Sequence, residues 1–321
     1  MRFLLLFCLT VFSAANALWA APRDARHQAI DRALNFLYQT AADDASFARY
    51  GADLLWCFFS VAHTDDDGKL RRSALQMGHR LALRWREAHR HLPPEATPEE
   101  IYLTLEGSYA ADRLGAPDAQ LKADLRRAVP RFKAVDYLRF DPLRGPPALD
   151  DPKRYGIFCD ALIHSYFGDA YGVPLGAHYG DVVRWLPRMR PYGGLDEDTE
   201  FDAFYAVTHV IYTLDRYSER SISASLLPQE FSFLRRKLKQ AIEDDDPEMV
   251  GEAMDCLKAA GFAGDPDVRA GEQYLISAQR ADGSWAGDPN DTYTAYHSAW
   301  TGLDGLRDYR FHGRVKKLPT P

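Results

Sequence analysis

Three histidines and several carboxylates stand on stretches of this chain that are otherwise apolar. Asp160 and His164 lie one helical turn apart and so share a face. Asp202 and His209 lie two turns apart, again on one face, with Tyr205 in the same run. Near the C-terminal end, Tyr293, Tyr296, His297 and Trp300 follow a spacing that makes them a single stripe of a helix. A stripe that polar needs a partner for each head group, or a wet cavity to face. Tyr102, Glu106 and Tyr109, and then Glu252 with Asp255, add polar groups to two further apolar segments.

Three imidazoles with a carboxylate form the donor set of a divalent transition metal: Zn, Fe, Cu or Mn. The expectation is a metal held by His164, His209 and His297, with Asp160 as a fourth ligand or as the group that orients an imidazole. Tyr205 and Tyr296 are then proton donors or substrate contacts, and Asp202 is a catalytic carboxylate. The metal would activate a water, a thiol or dioxygen. Two other readings use the same residues. In one, histidine and tyrosine act as base and acid in a metal-free lyase or hydrolase working on carbohydrate. In the other, an aromatic cavity in a non-catalytic protein holds a hydrophobic or peptide ligand. The expected partner is in every case a small molecule or peptide.

Helices must position these groups, because apolar residues recur at helical spacing along most of the chain and no run of alternation competes. The spacing predicts helices over Asp24–Thr40, Tyr50–His63, Lys69–His91, Pro98–Leu114, Ala119–Tyr137 and Tyr155–Ala170. Six more are expected over Leu175–Pro187, Thr199–Tyr217, Leu227–Ile242, Pro247–Ala260, Pro266–Gln279 and Thr292–Tyr309. Thr97-Pro98 and Asp246-Pro247 are helix-start signals. The odd members of this series, such as Arg71–His91, are laced with charge on one face, as helices facing water are. The even members, such as Leu54-Leu-Trp56-Cys-Phe-Phe59, carry few charges and belong inside. Alternation of about twelve outer and inner helices predicts six hairpins around a central cavity: an all-α (α/α)6 toroid in two concentric rings, one domain over residues 18–321.

The stretch Gln279-Arg-Ala-Asp282-Gly283-Ser284-Trp285 pairs a turn with an aromatic anchor. It resembles the QW motif of the terpenoid cyclases and the related loops of the protein prenyltransferases. Tyr296-His297, followed by small residues and Gly305-Leu306, resembles the prenyltransferase segment that supplies a zinc-binding histidine. The resemblance implies an α/α toroid and, at His297 alone, a zinc ligand. Cys159-Asp160 lacks the Asp-x-Cys spacing of the prenyltransferases. Asp196-Glu197-Asp198-Thr199 lacks the last aspartate of the cyclase acid motif, and a helix N-cap explains it better.

The chain opens with Met1-Arg2 and an apolar run, closed by Ala15-Asn16-Ala17, the pattern of a cleaved secretory leader over residues 1–17, with cleavage as late as 20. Export to a periplasm or the exterior is the expectation, with no transmembrane segment, because the run is too short to span a bilayer. Net charge is −7, and loss of Arg2 with the leader would make it −8, so nucleic acid is excluded as a partner by repulsion. Cys57, Cys159 and Cys256 would remain, each in an apolar helix, and are expected to be buried free thiols. Asp169–Gly176, without a preceding strand, and Asp244–Asp246 are expected to be connections between helices. His79, His89 and His91 are expected to be solvated.

Overall fold

The computed structural model describes residues 25–285 and 291–319, so the expected leader lies outside the described residues. Among these, the regular structure is helical apart from one two-residue parallel ribbon, β1 (Ser221–Ile222) with β2 (Arg314–Val315), and isolated bridging. The long helices are α1 over residues 25–42, α2 (Asp44–Thr64), α3 (Gly68–Ala88) and α4 (Pro98–Arg113). Short α5 (Ala119–Ala128) and α6 (Ala134–Leu138) precede α7 (Arg154–Tyr171). Short α8 (Tyr179–Val183) and α9 (Leu186–Met189) precede α10 (Glu197–Asp215). The series ends with α11 (Pro228–Glu243), α12 (Pro247–Ala259), α13 (Pro266–Ala278) and α14 (Thr292–Leu306).

Sequence chemistry accounts for most helix starts. Thr97 accepts from the Glu100 N–H at 3.2 Å, while the Glu100 carboxylate accepts from the Thr97 N–H at 2.8 Å. Asp246 accepts from the Met249 N–H at 3.0 Å, and Asp196 does the same for Thr199 at 3.0 Å, which makes the Asp196 run a cap.

Two expected helices are broken instead. Within Ala119–Tyr137, Pro130 has no N–H to donate, and the chain passes through a 3-10 turn at Val129–Arg131 before α6. Within Leu175–Pro187, the chain forms α8 and α9, and Pro187 sits in the first turn of α9. Helix α2 begins at Asp44 and bends at Tyr50 (φ −123°, ψ 15°), the position where a helix start was expected.

Packing follows the two helix types. Helix α2 lies against α4, α4 against α7, α7 against α10, α10 against α12, α12 against α14, and α14 against α2. Helices α3, α5, α11 and α13 pack against members of this cycle. Their buried stripes are narrow, as at Leu121, Leu125 and Ala128 of α5. The tightest approach is between α12 and α14. A Cβ on Gly251 would stand 2.3 Å from the Thr301 carbonyl oxygen, so only glycine fits there.

The interior is filled rather than hollow. Trp56 meets Phe59, Tyr109, Phe167 and Tyr217 at ring separations of 4.7, 5.5, 4.6 and 5.1 Å. Cys57, Cys159 and Cys256 are buried free thiols, each pushed well up by burial. No described helix is long and apolar enough to cross a membrane.

The segments after α13 and α14 lace the late part of the chain to the early part. Gln279 Oε1 accepts from Arg32, and its Nε2 donates to the Ala29 carbonyl at 2.8 Å. Gly283, at φ +100°, lies so close to the Arg32 carbonyl that a Cβ would stand 2.4 Å from its oxygen. Trp285 is 4% exposed and donates Nε1–H to the Leu275 carbonyl at 2.6 Å. The motif is thus a structural staple between α1, α13 and α14.

Candidate functional site

Three helices, α10, α12 and α14, bring ionisable groups to one place. Glu248 stands at the start of α12, and its Oε1 accepts from the Tyr205 hydroxyl of α10 at 2.6 Å. The same oxygen lies 3.0 Å from Nδ1 of His297 on α14, a charge pair without linear hydrogen-bond geometry. One turn along α12, Glu252 accepts from the Thr208 hydroxyl at 2.7 Å. His209 places Nδ1 at 2.9 Å from the Tyr205 carbonyl, so that nitrogen carries the proton and Nε2 holds the lone pair. His209, Glu252, Asp255, His297 and Trp300 line a cavity of about 50 Å³, room for a few water-sized atoms.

The environments drive these groups in opposite directions. Burial pushes His209 down to about 4, and the charge of His297 adds to the effect. Burial also opposes charge on His297, but Glu248, Glu252 and Asp53 outweigh it and lift the imidazole to about 9. Burial, with Glu248 nearby, raises Glu252 to about 8 against the opposing pull of His297 and Thr208. Burial raises Asp255 to about 7. Near neutral pH the pocket therefore holds a neutral imidazole, an imidazolium and a protonated carboxyl group.

The residues expected to form one site are divided. His209 and His297 line the pocket, and Tyr205 joins His297 through Glu248. Tyr296 stands beside it, donating its hydroxyl to Asp53 of α2 at 2.7 Å. His164 does not join them. Its Nδ1 bonds the Tyr137 carbonyl at 2.7 Å, and its ring packs on Tyr102 at 3.6 Å. Asp160 pairs instead with Arg139 at 2.7 Å, partly in solvent. Asp202 lies on that same side, where burial and Asp160 raise it. Among the described residues, no three His, Cys, Asp or Glu side chains come together as a possible metal-binding set. The donor set does not fit the expected three-histidine centre: one imidazole is elsewhere, and another is drawn toward protonation, whereas a ligand must be deprotonated.

No protein-family model, curated protein or solved structure matches this chain. The site has to be read from its own geometry.

Sequence reasoning missed Glu248, Asp53 and Thr208. Glu248 follows Pro247 at a helix start, where an acidic residue is ordinary. Asp53 gave a usable signal, a lone carboxylate between Ala52 and Leu54 in an apolar helix. His79 and His89, expected to be solvated, are held: His79 Nδ1 lies 2.9 Å from the Leu114 carbonyl, and His89 stacks on Trp85 at 3.7 Å.

The raised groups fix a sign for stability against pH. His297 rises from about 6.5 to about 9, so its contribution is complete below 6.5 and is lost as pH climbs through 9. Glu252 rises from 4.5 to about 8 and acts in the same sense over that window. The melting temperature is expected to fall between pH 6 and pH 9. Glu252→Gln, a mimic of the protonated acid, should match the wild type at acid pH and exceed it at alkaline pH. Thermal unfolding across that range checks it, and parallel curves for the two proteins would refute it.

Proposed function

We propose that the pocket between α10, α12 and α14 is the general acid–base site of an enzyme, of the metal-free lyase or hydrolase kind. The observation that carries the reading is Glu248, bridging the Tyr205 hydroxyl and His297 beside Glu252 and His209 at one cavity. Neutral His209 takes a proton at Nε2, protonated Glu252 supplies one, and the His297 imidazolium stabilises developing negative charge. Separate protonation states for neighbouring groups are what acid–base catalysis at neutral pH requires. The small cavity suits the reacting end of a substrate, with the remainder outside.

For the architecture we propose the (α/α)6 toroid. The cycle of packing from α2 through α4, α7, α10, α12 and α14 back to α2 supports it, as do the charge-laced helices outside. Export is proposed on the leader pattern alone.

The test combines elemental analysis with an activity screen on model esters, glycosides and uronic-acid polysaccharides, before and after chelation. Turnover that survives chelation and falls by about 10²-fold or more in His209→Ala and Glu252→Gln, both still folded, is the expected result. A stoichiometric metal that disappears in His297→Ala would replace this reading with a metal enzyme. Absence of turnover, with a bound organic molecule in the purified protein, would replace it with a binding protein.

A further inference from the structure

On the other side of the Tyr217 ring from the acid–base pocket lies a larger open cleft of about 730 Å³. The two cavities share no lining residue. Six cations border the cleft: Arg113, Arg216, Arg220, Arg314, Lys316 and Lys317. Only two carboxylates accompany them, and both are engaged. Glu219 pairs with Arg113 at 3.3 Å, while Asp169 accepts from His178 at 2.8 Å and from the Tyr179 N–H at 2.9 Å. Five cations are thus left without a carboxylate partner among the described residues, on a protein whose net charge is −7.

The backbone gathers this charge from two distant parts of the chain. After α10, Arg216, Tyr217 and Ser218 all take positive φ, at 62°, 52° and 65°, a left-handed run that non-glycine residues rarely adopt. Buried bonds hold it: the Ser218 N–H donates to Asp215 at 2.9 Å and its hydroxyl to Asp255 at 2.9 Å. The turn puts the Tyr217 ring in the aromatic core and leaves Arg216 exposed on the cleft. The second source is the β2 segment. The His312 N–H donates to the Glu219 carbonyl at 2.7 Å, and the parallel register pairs Arg314 with Ser221. Val315 is buried, which pins the strand and sets Arg314 and Lys316 outward on either side of it.

We propose that this cleft binds a small organic polyanion, one bearing two or more carboxylate or phosphate groups on a body that lies against Tyr109 and Tyr166. Crowding like charges without counter-charges raises the local potential and attracts a multivalent anion. Guanidinium groups match carboxylate and phosphate oxygens in pairs, and the exposed lysines add point charge. The volume is that of a site for an ordinary small ligand. The proposal stands apart from the acid–base reading and shares no residue with it.

Calorimetric titration of the full chain with citrate and, separately, with tripolyphosphate tests it. The expected result is saturable binding of at least one probe that weakens as salt is added. The probe that binds says whether carboxylate or phosphate is the recognised group. Lys316→Gln/Lys317→Gln, at exposed positions that leave the core untouched, should weaken binding by about tenfold, as should Arg216→Gln/Arg220→Gln if it folds. Glu252→Gln should bind like the wild type, which keeps the result independent of the acid–base site. Failure of both probes to saturate, or binding unchanged in the lysine pair variant, would overturn the proposal.

Discussion

Arg307→Ala is expected to cost about 3–5 kcal/mol, the loss typical of breaking a buried ion pair. The guanidinium is 1% exposed and every arm of it is used. Nε donates to Asp304 at 2.5 Å, one terminal nitrogen to the Thr64 hydroxyl at 2.8 Å, and the other to the Ser60 hydroxyl at 2.9 Å. Alanine leaves the buried Asp304 carboxyl without the guanidinium that offsets its desolvation, and two α2 hydroxyls lose their donor. A domain of ordinary stability holds about 5–15 kcal/mol in all, so little folded protein should remain above moderate temperature. Removing both charges with apolar replacements, Arg307→Met together with Asp304→Leu, should restore much of the loss. Urea unfolding measures it, and a single variant within about 1 kcal/mol of the wild type would show that the clamp is not what holds α14 to α2.

Trp285→Ala is the second large effect, expected at about 3–5 kcal/mol from cavity formation. The indole lies over Gly302 of α14, where a Cβ would stand 2.8 Å from the ring, and its Nε1–H goes to α13. Removal empties the space between the two helices and leaves the Leu275 carbonyl with the Gln279 N–H alone, at 3.2 Å. Trp285→Phe keeps most of the volume and loses the hydrogen bond, so it should fall between the two. The unfolding midpoints of the three proteins should therefore rank wild type, phenylalanine, alanine. An alanine variant with an unshifted midpoint would remove Trp285 from the list of staples.

Local rules carried the reading of the sequence a long way. Caps at Thr97 and Asp246, and the Asp282-Gly283 turn before a tryptophan, depend on neighbours within a few residues, and they came out as expected. Helix type was equally visible in the charge of one face against the aromatic content of another. One local signal was overridden: apolar spacing runs straight through Pro130, which cannot continue the hydrogen-bond ladder. The other failures were non-local. His164 shares a helical face with Asp160, yet nothing in its spacing shows that the Tyr137 carbonyl would take its Nδ1. Tyr205 and His297 were visible as polar groups, but the carboxylate joining them sits at the start of a third helix, where an acid has an everyday explanation. Nothing beside Arg307 in the chain marks it as buried, because the Ser60 and Thr64 hydroxyls that take its guanidinium lie on α2.

The lacing between the two ends of the helical series bears on how the molecule is made. Arg26 bonds Asp308 across 282 positions, and Tyr296 bonds Asp53 across 243. Contacts of such reach form late, because the loop between them must close before they give anything back. A chain emerging from the ribosome as far as α12 already carries His209, Glu248 and Glu252. It also holds Asp53, Ser60 and Thr64 on α2 with their partners on α14 and Arg307 still unmade. Until α14 arrives, α2 and α12 expose the apolar and polar surface that they later bury against it, the kind of surface chaperones hold. His297, the α14 member of the proposed site, and the contacts that close the fold therefore arrive in one event on the synthesis timeline.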